Sequence, residues 1–311
     1  MKLSNSIKLA MANFSLFWKI LVYKTLAFGV IVLLLLPIFG VLGKCLAEVG
    51  FWGSVADFFS VSVFQNFASV SDKLFACVAN LFASLVTLAN VSLVALIYLL
   101  LVLFIIAPFI LKLSDVPVSE SVYSYMASLS KNSFMVNFVD GFGKSAGYSI
   151  LKTILEVPFW CLFLSGIYGI LSLTNYGLTM QILCPLILFV FAVFMLDVKA
   201  SVFNGWASSI VVFNTCAGKA FNKALVAVKR KFLSTLSSFA VVITIMFACL
   251  YIFGVYSLII ILPLYSLIIS VFGQVLFFES QGMNYYISPD RIIMPRKLEQ
   301  ADSIKKVKSI I

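Results

Sequence analysis

The sequence predicts an all-α integral membrane protein, a polytopic helical bundle of six spans with amphipathic helices on the membrane surface. Only 11% of the 311 residues are charged, 62% are hydrophobic, and the mean hydropathy is +1.11. A soluble globule of this size needs more polar surface than this composition provides. The charged residues also fall between long uncharged runs, which is typical of a chain that crosses a bilayer several times.

Six uncharged runs approach the roughly 20 residues that a helix needs to cross a bilayer core of about 30 Å. The predicted spans cover residues 25–43, 91–111, 157–173, 178–196, 236–254 and 258–278. Residues 1–280 therefore form one predicted membrane domain, and residues 281–311 form a basic cytoplasmic tail. The fifth and sixth spans share one uncharged stretch that is broken near Gly254.

The stretch from Leu74 to Leu111 has no charged residue and leaves two interpretations open. Two short spans could fit there, with Asn90 and Ser92 at the turn. We favour one span, because a seventh would place the basic segment 219–231 outside. On that interpretation the apolar residues before the span line one face of an amphipathic helix on the outer surface. These residues are Val70, Leu74, Cys77, Leu81, Leu85 and Leu88.

The distribution of basic residues predicts the orientation, because Lys and Arg are retained on the cytoplasmic side. With the N-terminus inside, all but two of the 22 basic residues, Lys44 and Lys73, lie on inner segments. We therefore predict that both termini are cytoplasmic, in a bacterial cytoplasmic membrane. The first apolar run has full span length and follows a long charged lead, so we interpret it as a retained helix rather than a cleaved signal.

A short stretch precedes each odd-numbered span, and its apolar residues recur at helical spacing. We name these stretches the first prelude (residues 5–21), the second prelude (131–146) and the third prelude (219–232). Their apolar stripes are Ile7, Met11, Phe14, Trp18 and Leu21; Phe134, Phe138, Phe142 and Ala146; and Phe221, Leu225, Val228 and Phe232. Either the preludes lie in the membrane plane on anionic lipid, or their stripes pack together below the bilayer.

The preludes indicate three copies of one plan, in which a surface helix is followed by a span and a return span. The tripeptide Lys24-Thr25-Leu26 reappears as Lys152-Thr153-Ile154, in agreement with a duplication. The third prelude is the most basic, and we predict that its cations contact the inner leaflet or a protein partner. These cations are Lys219, Lys223, Lys229, Arg230 and Lys231.

Three carboxylates lie at span ends, namely Glu156, Asp197 and Glu279. An ionised group inside a membrane costs at least about 2.5 kcal/mol, so such residues are candidates for function. They could form a polar ring at the inner mouth of a pathway. Alternatively, Glu156 and Asp197 form interfacial pairs with Lys152 and Lys199.

The sequence offers no pattern for enzymatic chemistry or for a cofactor or metal. It contains no histidine, the commonest general base and zinc ligand. The Gly-Lys-Ser at 143–145 is not a phosphate loop, because Phe138 occupies the position of the required first glycine. The six cysteines have no metal-site spacing, and we expect no disulfide between Cys45 and Cys77. The net charge of +10 is explained by topology, so nucleic-acid binding is not predicted.

The segment from Phe203 to Val211, with Ala217 to Ala224 and Lys229 to Phe232, resembles part of a known family. It is similar to bacterial six-span proteins of the glycerophosphodiesterase membrane-domain type and to related uncharacterised families. The resemblance implies an Ala-rich cytoplasmic helix ahead of a span. Because the 311 residues contain no soluble phosphodiesterase segment, it implies no enzymatic activity.

These observations predict a non-enzymatic membrane protein, a scaffold or accessory subunit of a membrane or envelope complex. The alternative is a transporter or lipid-handling protein, in which the repeated units enclose an apolar groove. The expected partners are membrane lipids, in particular the anionic inner leaflet, and a protein of the same complex.

Overall fold

The computed structural model describes residues 3–60, 67–128, 133–173, 177–253, 258–288 and 291–293, and this part of the chain is mainly helical. The helices are α1 (Leu3–Ala12), α2 (Ser15–Glu48), α3 (Phe51–Ser60), α4 (Phe67–Val91), α5 (Leu93–Leu101), α6 (Ala107–Lys112), α7 (Asp115–Met126), α8 (Phe134–Asp140), α9 (Phe142–Ser172), α10 (Leu178–Phe203), α11 (Gly205–Phe213), α12 (Ala217–Phe253) and α13 (Leu258–Gln281). A π-helical turn, Val102–Ile106, joins α5 to α6. The prediction of an all-α polytopic bundle is confirmed.

Seven helical segments of the described chain are long and apolar enough to cross a membrane, so the protein is an integral membrane protein. Six of them overlap the six predicted spans, and the seventh is Asp72–Val91 in α4. The predicted break near Gly254 lies outside the described residues, as does most of the turn between α9 and α10.

The additional segment in α4 contacts α3, whereas α5 contacts α2. Tyr98 of α5 donates a hydrogen bond to the carbonyl of Leu34 in α2, at 2.6 Å. Asn80 of α4 then donates to Ser54 of α3, and Lys73 donates to the carbonyl of Asp57. Residue numbers rise along α2 and α3 while they fall along α5 and α4. The described contacts thus pair α5 with α2 and α4 with α3 in antiparallel order, with a helix break at Ser92, and the choice between one and two crossings stays a prediction.

The chain divides into two compact units, whereas the sequence predicted one membrane domain. Unit 1 comprises residues 1–27, 109–152 and 196–311, and unit 2 comprises residues 28–108 and 153–195. The preludes belong to unit 1, where segments distant in sequence share a hydrophobic core. The periodic pattern left open whether the preludes pack together, and this core contains residues of the first and second preludes.

The core of unit 1 is built around α13. In the most apolar window of Ile259–Gln281, 56% of the residues are buried, compared with at most 22% in the other candidate spans. Leu267, Val271, Val275 and Phe278 contact the buried faces of α1 and α7 within one cluster. The other candidate spans therefore expose most of their residues, whereas α13 is packed mainly against the rest of unit 1.

Unit 2 has its own packing contacts. Ile38 and Cys45 of α2 pack with Leu88 of α4 and with Ala95 and Leu99 of α5. Elsewhere in this unit, α9 and α10 approach closely at Gly166. A side chain at this position would collide with the ring of Phe191. Such close contacts at small residues are typical of membrane helices.

The first part of the predicted tail is folded. Two strands, β1 (Tyr285–Ser288) and β2 (Arg291–Ile293), pair in antiparallel register with Tyr285 opposite Ile293. Tyr285 and Ile287 are buried in the core of unit 1. The tail thus joins this core at its start, and residues 294–311 lie outside the described part.

Candidate functional site

A cluster of charged residues in unit 1 is centred on Asp115, the first residue of α7. Lys152 of α9 lies 3.1 Å from Asp115 Oδ2, and Lys24 of α2 lies 4.0 Å from Oδ1. The hydroxyl of Tyr148 is 3.4 Å from Oδ2 and accepts a hydrogen bond from Lys152 at 2.7 Å. The three charged side chains are only 13–18% exposed. Opposite charges held so close at low exposure connect three helices.

The same cluster caps the end of α6. Tyr23 donates a hydrogen bond to the carbonyl of Ile110 at 2.6 Å, and Lys24 donates to the carbonyl of Leu111. The last carbonyls of a helix have no intrahelical partner, and a cation at that end also interacts favourably with the helix dipole. Lys24 therefore pairs with the carboxylate of Asp115 and also donates a hydrogen bond to the last turn of α6.

Sequence reasoning missed Asp115 as a site residue, although two signals were present. Lys24 and Lys152, which converge on it, are the lysines of the repeated Lys-Thr tripeptides. The pair Asp115-Val116 also resembles Asp197-Val198, which stands in the corresponding place near the end of the fourth span. The sequence predicts that Lys152 pairs with Glu156 on the same helix. Sequence spacing alone gave no indication that α7 brings Asp115 to Lys152.

The predicted carboxylates lie on three different helices. Glu156 in unit 2 and Asp197 in unit 1 are buried, at 2% and 3% exposure. Glu279, near the end of α13, accepts a hydrogen bond from the hydroxyl of Tyr285 at 3.2 Å. Burial, and then the negative charge of Glu279, raise the pKa of Tyr285, so the phenol remains a donor. The polar ring formed by these carboxylates stays a prediction.

A second polar feature, which we name the polar seam, consists of Ser119, Asn204, Ser208, Gly273 and Gln274. A Cβ atom at Gly273 would lie 2.5 Å from the carbonyl oxygen of Asn204, 2.7 Å from Asn204 Oδ1 and 3.1 Å from Ser208 Oγ. Glycine therefore allows α13 to approach the junction of α10 and α11. On the same helix, Gln274 donates a hydrogen bond to the carbonyl of Ser119 at 2.8 Å.

The polar seam contains buried groups without hydrogen-bond partners in the described chain. These groups are both side-chain polar atoms of Asn204, Oγ of Ser119 and of Ser208, and Oε1 of Gln274. All four residues are at most 5% exposed. An unsatisfied buried polar group costs about 1–3 kcal/mol, and such groups usually meet ordered water or a ligand.

Three of the five predicted basic residues on the third prelude have described side chains, and all three are exposed on α12. Lys219, Lys223 and Lys229 are exposed, and we name these three residues the lysine face. The ammonium of Lys223 lies 3.8 Å from the centre of the Phe213 ring, within the range of a cation–π contact. Arg230 and Lys231 belong to α12, but their side chains lie outside the described part.

The apolar stripes of the first and third preludes have different surroundings. In the first, Ile7, Met11, Phe14 and Trp18 are 42–67% exposed. In the third, Val228 is 4% exposed and Phe221 packs on the buried cluster around Trp206. The second prelude is mixed, since Phe134 is buried and Phe142 is exposed. Neither open interpretation of the stripes therefore applies to all three preludes.

No family model, no curated protein and no solved structure matches this chain. The resemblance to the six-span family thus stays a prediction. Among the described residues there is no group of three His, Cys, Asp or Glu side chains that could hold a metal ion. Cys45 and Cys77 are free thiols.

Proposed function

We propose that this integral membrane protein is a non-enzymatic scaffold or accessory subunit of a membrane or envelope complex. In this proposal both termini are cytoplasmic, in a bacterial cytoplasmic membrane, and an acidic protein partner binds the lysine face of α12. The observation that supports it is the fixed presentation of the lysine face.

The opposite side of α12 is held by the protein. Ala220, Ala224 and Ala227 are fully buried there. The indole Nε1 of Trp206 donates a hydrogen bond to the carbonyl of Ala217 at 2.7 Å, which fixes the start of α12 to α11. Because the helix cannot turn about its axis without exposing these contacts, Lys219 and Lys229 are held outward in a constant arrangement.

A fixed set of exposed cations fits a surface of opposite charge. Charge complementarity at an interface contributes mainly to association rate and specificity. The anionic leaflet offers about 1 kcal/mol for each nearby lysine, without such geometric selection. A protein partner would recognise the arrangement of the lysines, whereas lipid would recognise mainly their number.

The test is extraction of the full chain from native membranes in a lipid-retaining polymer, followed by mass spectrometry of the co-purified proteins and lipids. The test variant is Lys219→Gln/Lys229→Gln, which spares Lys223 and its contact with Phe213. The matched control is Lys8→Gln/Lys19→Gln, which removes the same charge from exposed lysines of the first prelude.

We expect a stoichiometric partner protein with the wild type and with the control, and its loss with the test variant. Equal loss with both variants would show that net charge, not the lysine face, holds the partner. Recovery of an enriched lipid without any protein partner would contradict the scaffold proposal.

The polar seam supports a rival function, transport or lipid handling, because its unpartnered atoms could meet a polar solute. Asn204→Leu and Ser208→Ala remove three of the five unpartnered atoms, namely both side-chain polar atoms of Asn204 and Oγ of Ser208. If the seam serves transport, both variants keep or raise the melting temperature and lose cellular function, as expected when a costly site is replaced by a packed core. If the scaffold proposal is correct, cellular function and the partner are retained.

A further inference from the structure

The first prelude carries a row of large apolar side chains that the described part of the chain leaves uncovered. Ile7, Met11, Phe14 and Trp18 are 50%, 67%, 42% and 60% exposed. With 10 residues, α1 is too short to cross a membrane. Ile7 and Met11 lie on α1, and Trp18 lies at the start of α2, so the part of the row on α1 requires an apolar environment other than a span of its own.

This row is continuous with the lipid-facing surface of the first span. Further along α2, Val22 and Leu26 are 59% and 66% exposed, and both belong to the candidate span Ser15–Glu48. The same kind of surface thus extends from the span onto α1 without an intervening acidic residue, since the first acidic residue of the chain is Glu48.

The charges beside the row have one sign. Lys8 and Lys19 are exposed, and they are the only charged residues between Leu3 and Tyr23. Basic residues that flank an apolar face are the pattern of helices that lie at an anionic membrane surface. An acidic partner protein would explain the lysines but would leave the apolar row uncovered.

The first prelude cannot rotate about its axis, because its other side is packed in the core of unit 1. Leu9, Leu16, Phe17 and Ile20 are buried in the core of unit 1. Rotation of α1 and the start of α2 would expose these residues. The apolar row is therefore held outward by the core.

We infer that the first prelude is an interfacial anchor, with its apolar row inserted in the headgroup–acyl boundary of an anionic leaflet. Lys8 and Lys19 contact the phosphate groups there. The anchor occupies the leaflet at the N-terminal end of the first span. This inference is independent of the proposed partner at the lysine face.

The second prelude presents a smaller surface of the same kind near the same helix. On α8, Met135 and Val139 are 67% and 70% exposed. The buried side of α8 contacts α2, because the rings of Phe134 and Phe138 lie 6.5 and 5.5 Å from the ring of Tyr23. Two short helices beside the start of the first span therefore expose apolar residues.

The test uses Trp18 as a depth reporter. The full chain is reconstituted in vesicles of phosphatidylcholine and phosphatidylglycerol that carry bromine either near the glycerol or near the end of the acyl chain. The emission of Trp18 is the difference between the wild type and Trp18→Phe. The buried Trp206, at 1% exposure, and the other tryptophans cancel in this difference.

We expect bromine near the glycerol to quench most of the Trp18 emission, and bromine at the chain end to quench little. The same comparison is then made between Lys8→Gln/Lys19→Gln and Lys8→Gln/Lys19→Gln/Trp18→Phe. Loss of the quenching of Trp18 in this second comparison would confirm the role of the two lysines. No quenching at either depth would show that water or protein covers the row, and preferential deep quenching would show that the start of α2, which carries Trp18, lies in the bilayer core. Both results would overturn the inference. If Trp18→Phe fails to fold, Met11→Trp supplies the added signal in the same row.

Discussion

The first and third preludes have the same helical periodicity but opposite orientation. In the first prelude the bulky apolar row of Ile7, Met11 and Trp18 faces away from the protein. In the third, Val228 is buried and the lysine face points outward. A hydrophobic stripe therefore marks the protein-facing side of one helix and the outward side of the other.

The feature shared by both buried faces is small residues. Ser6 and Ala10 of the first prelude, and Ala220, Ala224 and Ala227 of the third, are at most 9% exposed. Lipid is as apolar as a protein core, so apolar character does not drive membrane helices together, whereas small side chains let backbones approach. Small residues thus contribute to both packed faces, although the large residues Leu9, Leu16, Phe17 and Ile20 are also buried in the first prelude.

The strongest test of the comparison uses one tryptophan from each region. Trp206→Ala removes a ring that contacts Tyr148 and Phe221, together with its hydrogen bond to Ala217. We expect it to lower the free energy of unfolding by about 3–5 kcal/mol. Trp18→Ala, at an exposed position, should change it by less than about 0.5 kcal/mol. Unfolding in mixed micelles measures both, and similar losses would break the comparison.

Within the first prelude, neighbouring positions should differ as sharply. Leu9 is fully buried, and Met11 is 67% exposed. Leu9→Ala should cost about 2–5 kcal/mol because it leaves a cavity in the core of unit 1. Met11→Ala should cost less than about 0.5 kcal/mol in detergent. If Met11→Ala proved the more costly, α1 would pack through its bulky row.

The Asp115 cluster distinguishes the first two repeats, whose lysines Lys24 and Lys152 it joins. Asp115→Asn leaves both cations without their carboxylate, and we expect a loss of about 3 kcal/mol, at the lower end for buried pairs because the side chains are partly exposed. Asp140→Asn, at an exposed site, is the matched control with no measurable loss expected. A loss that is equal in both variants would assign the effect to net charge. Denaturant titration in detergent at low and high salt measures it.

The sequence was sufficient to predict the all-α membrane bundle, because long uncharged runs have few alternatives, and six of the seven candidate spans in the described chain overlap the predicted runs. It was not sufficient for the polar seam, since Gly273 and Gln274 are ordinary in a span until α11 is placed against Gly273 and α7 against Gln274. Nor did it predict Asp115, whose partners lie on helices 91 and 37 residues away in the chain. Both features depend on contacts between distant segments, which periodicity does not encode.

A smaller change in stability is expected from a substitution at Gly273, where α13 approaches α11 closely. Gly273→Ala places a methyl group 2.5 Å from the carbonyl oxygen of Asn204, and we expect a loss of about 2 kcal/mol. Gly147→Ala, in a helix with no atom within 4 Å of the added Cβ, should instead stabilise the protein by about 0.5–1 kcal/mol. Thermal unfolding of the two variants gives opposite shifts if α11 is packed as described. A neutral Gly273→Ala would show that α13 is loosely packed against the junction of α10 and α11.

The smallest effect concerns Tyr285, which is buried in the core that also holds Leu9 of α1. Tyr285→Phe removes the donor to Glu279 and should cost about 1 kcal/mol. The pKa of the phenol is raised by burial and by the carboxylate of Glu279. A raised pKa in the folded state means that this contribution is complete below the unfolded pKa of about 10 and is lost as the pH rises through the folded value. The difference in unfolding free energy between wild type and variant should therefore be constant in neutral solution and shrink only in strong alkali. If this difference in unfolding free energy already changed near neutral pH, a group other than the phenol of Tyr285 would hold the β1–β2 hairpin on the core. The buried side of the first prelude would then depend on a contact other than this hydrogen bond.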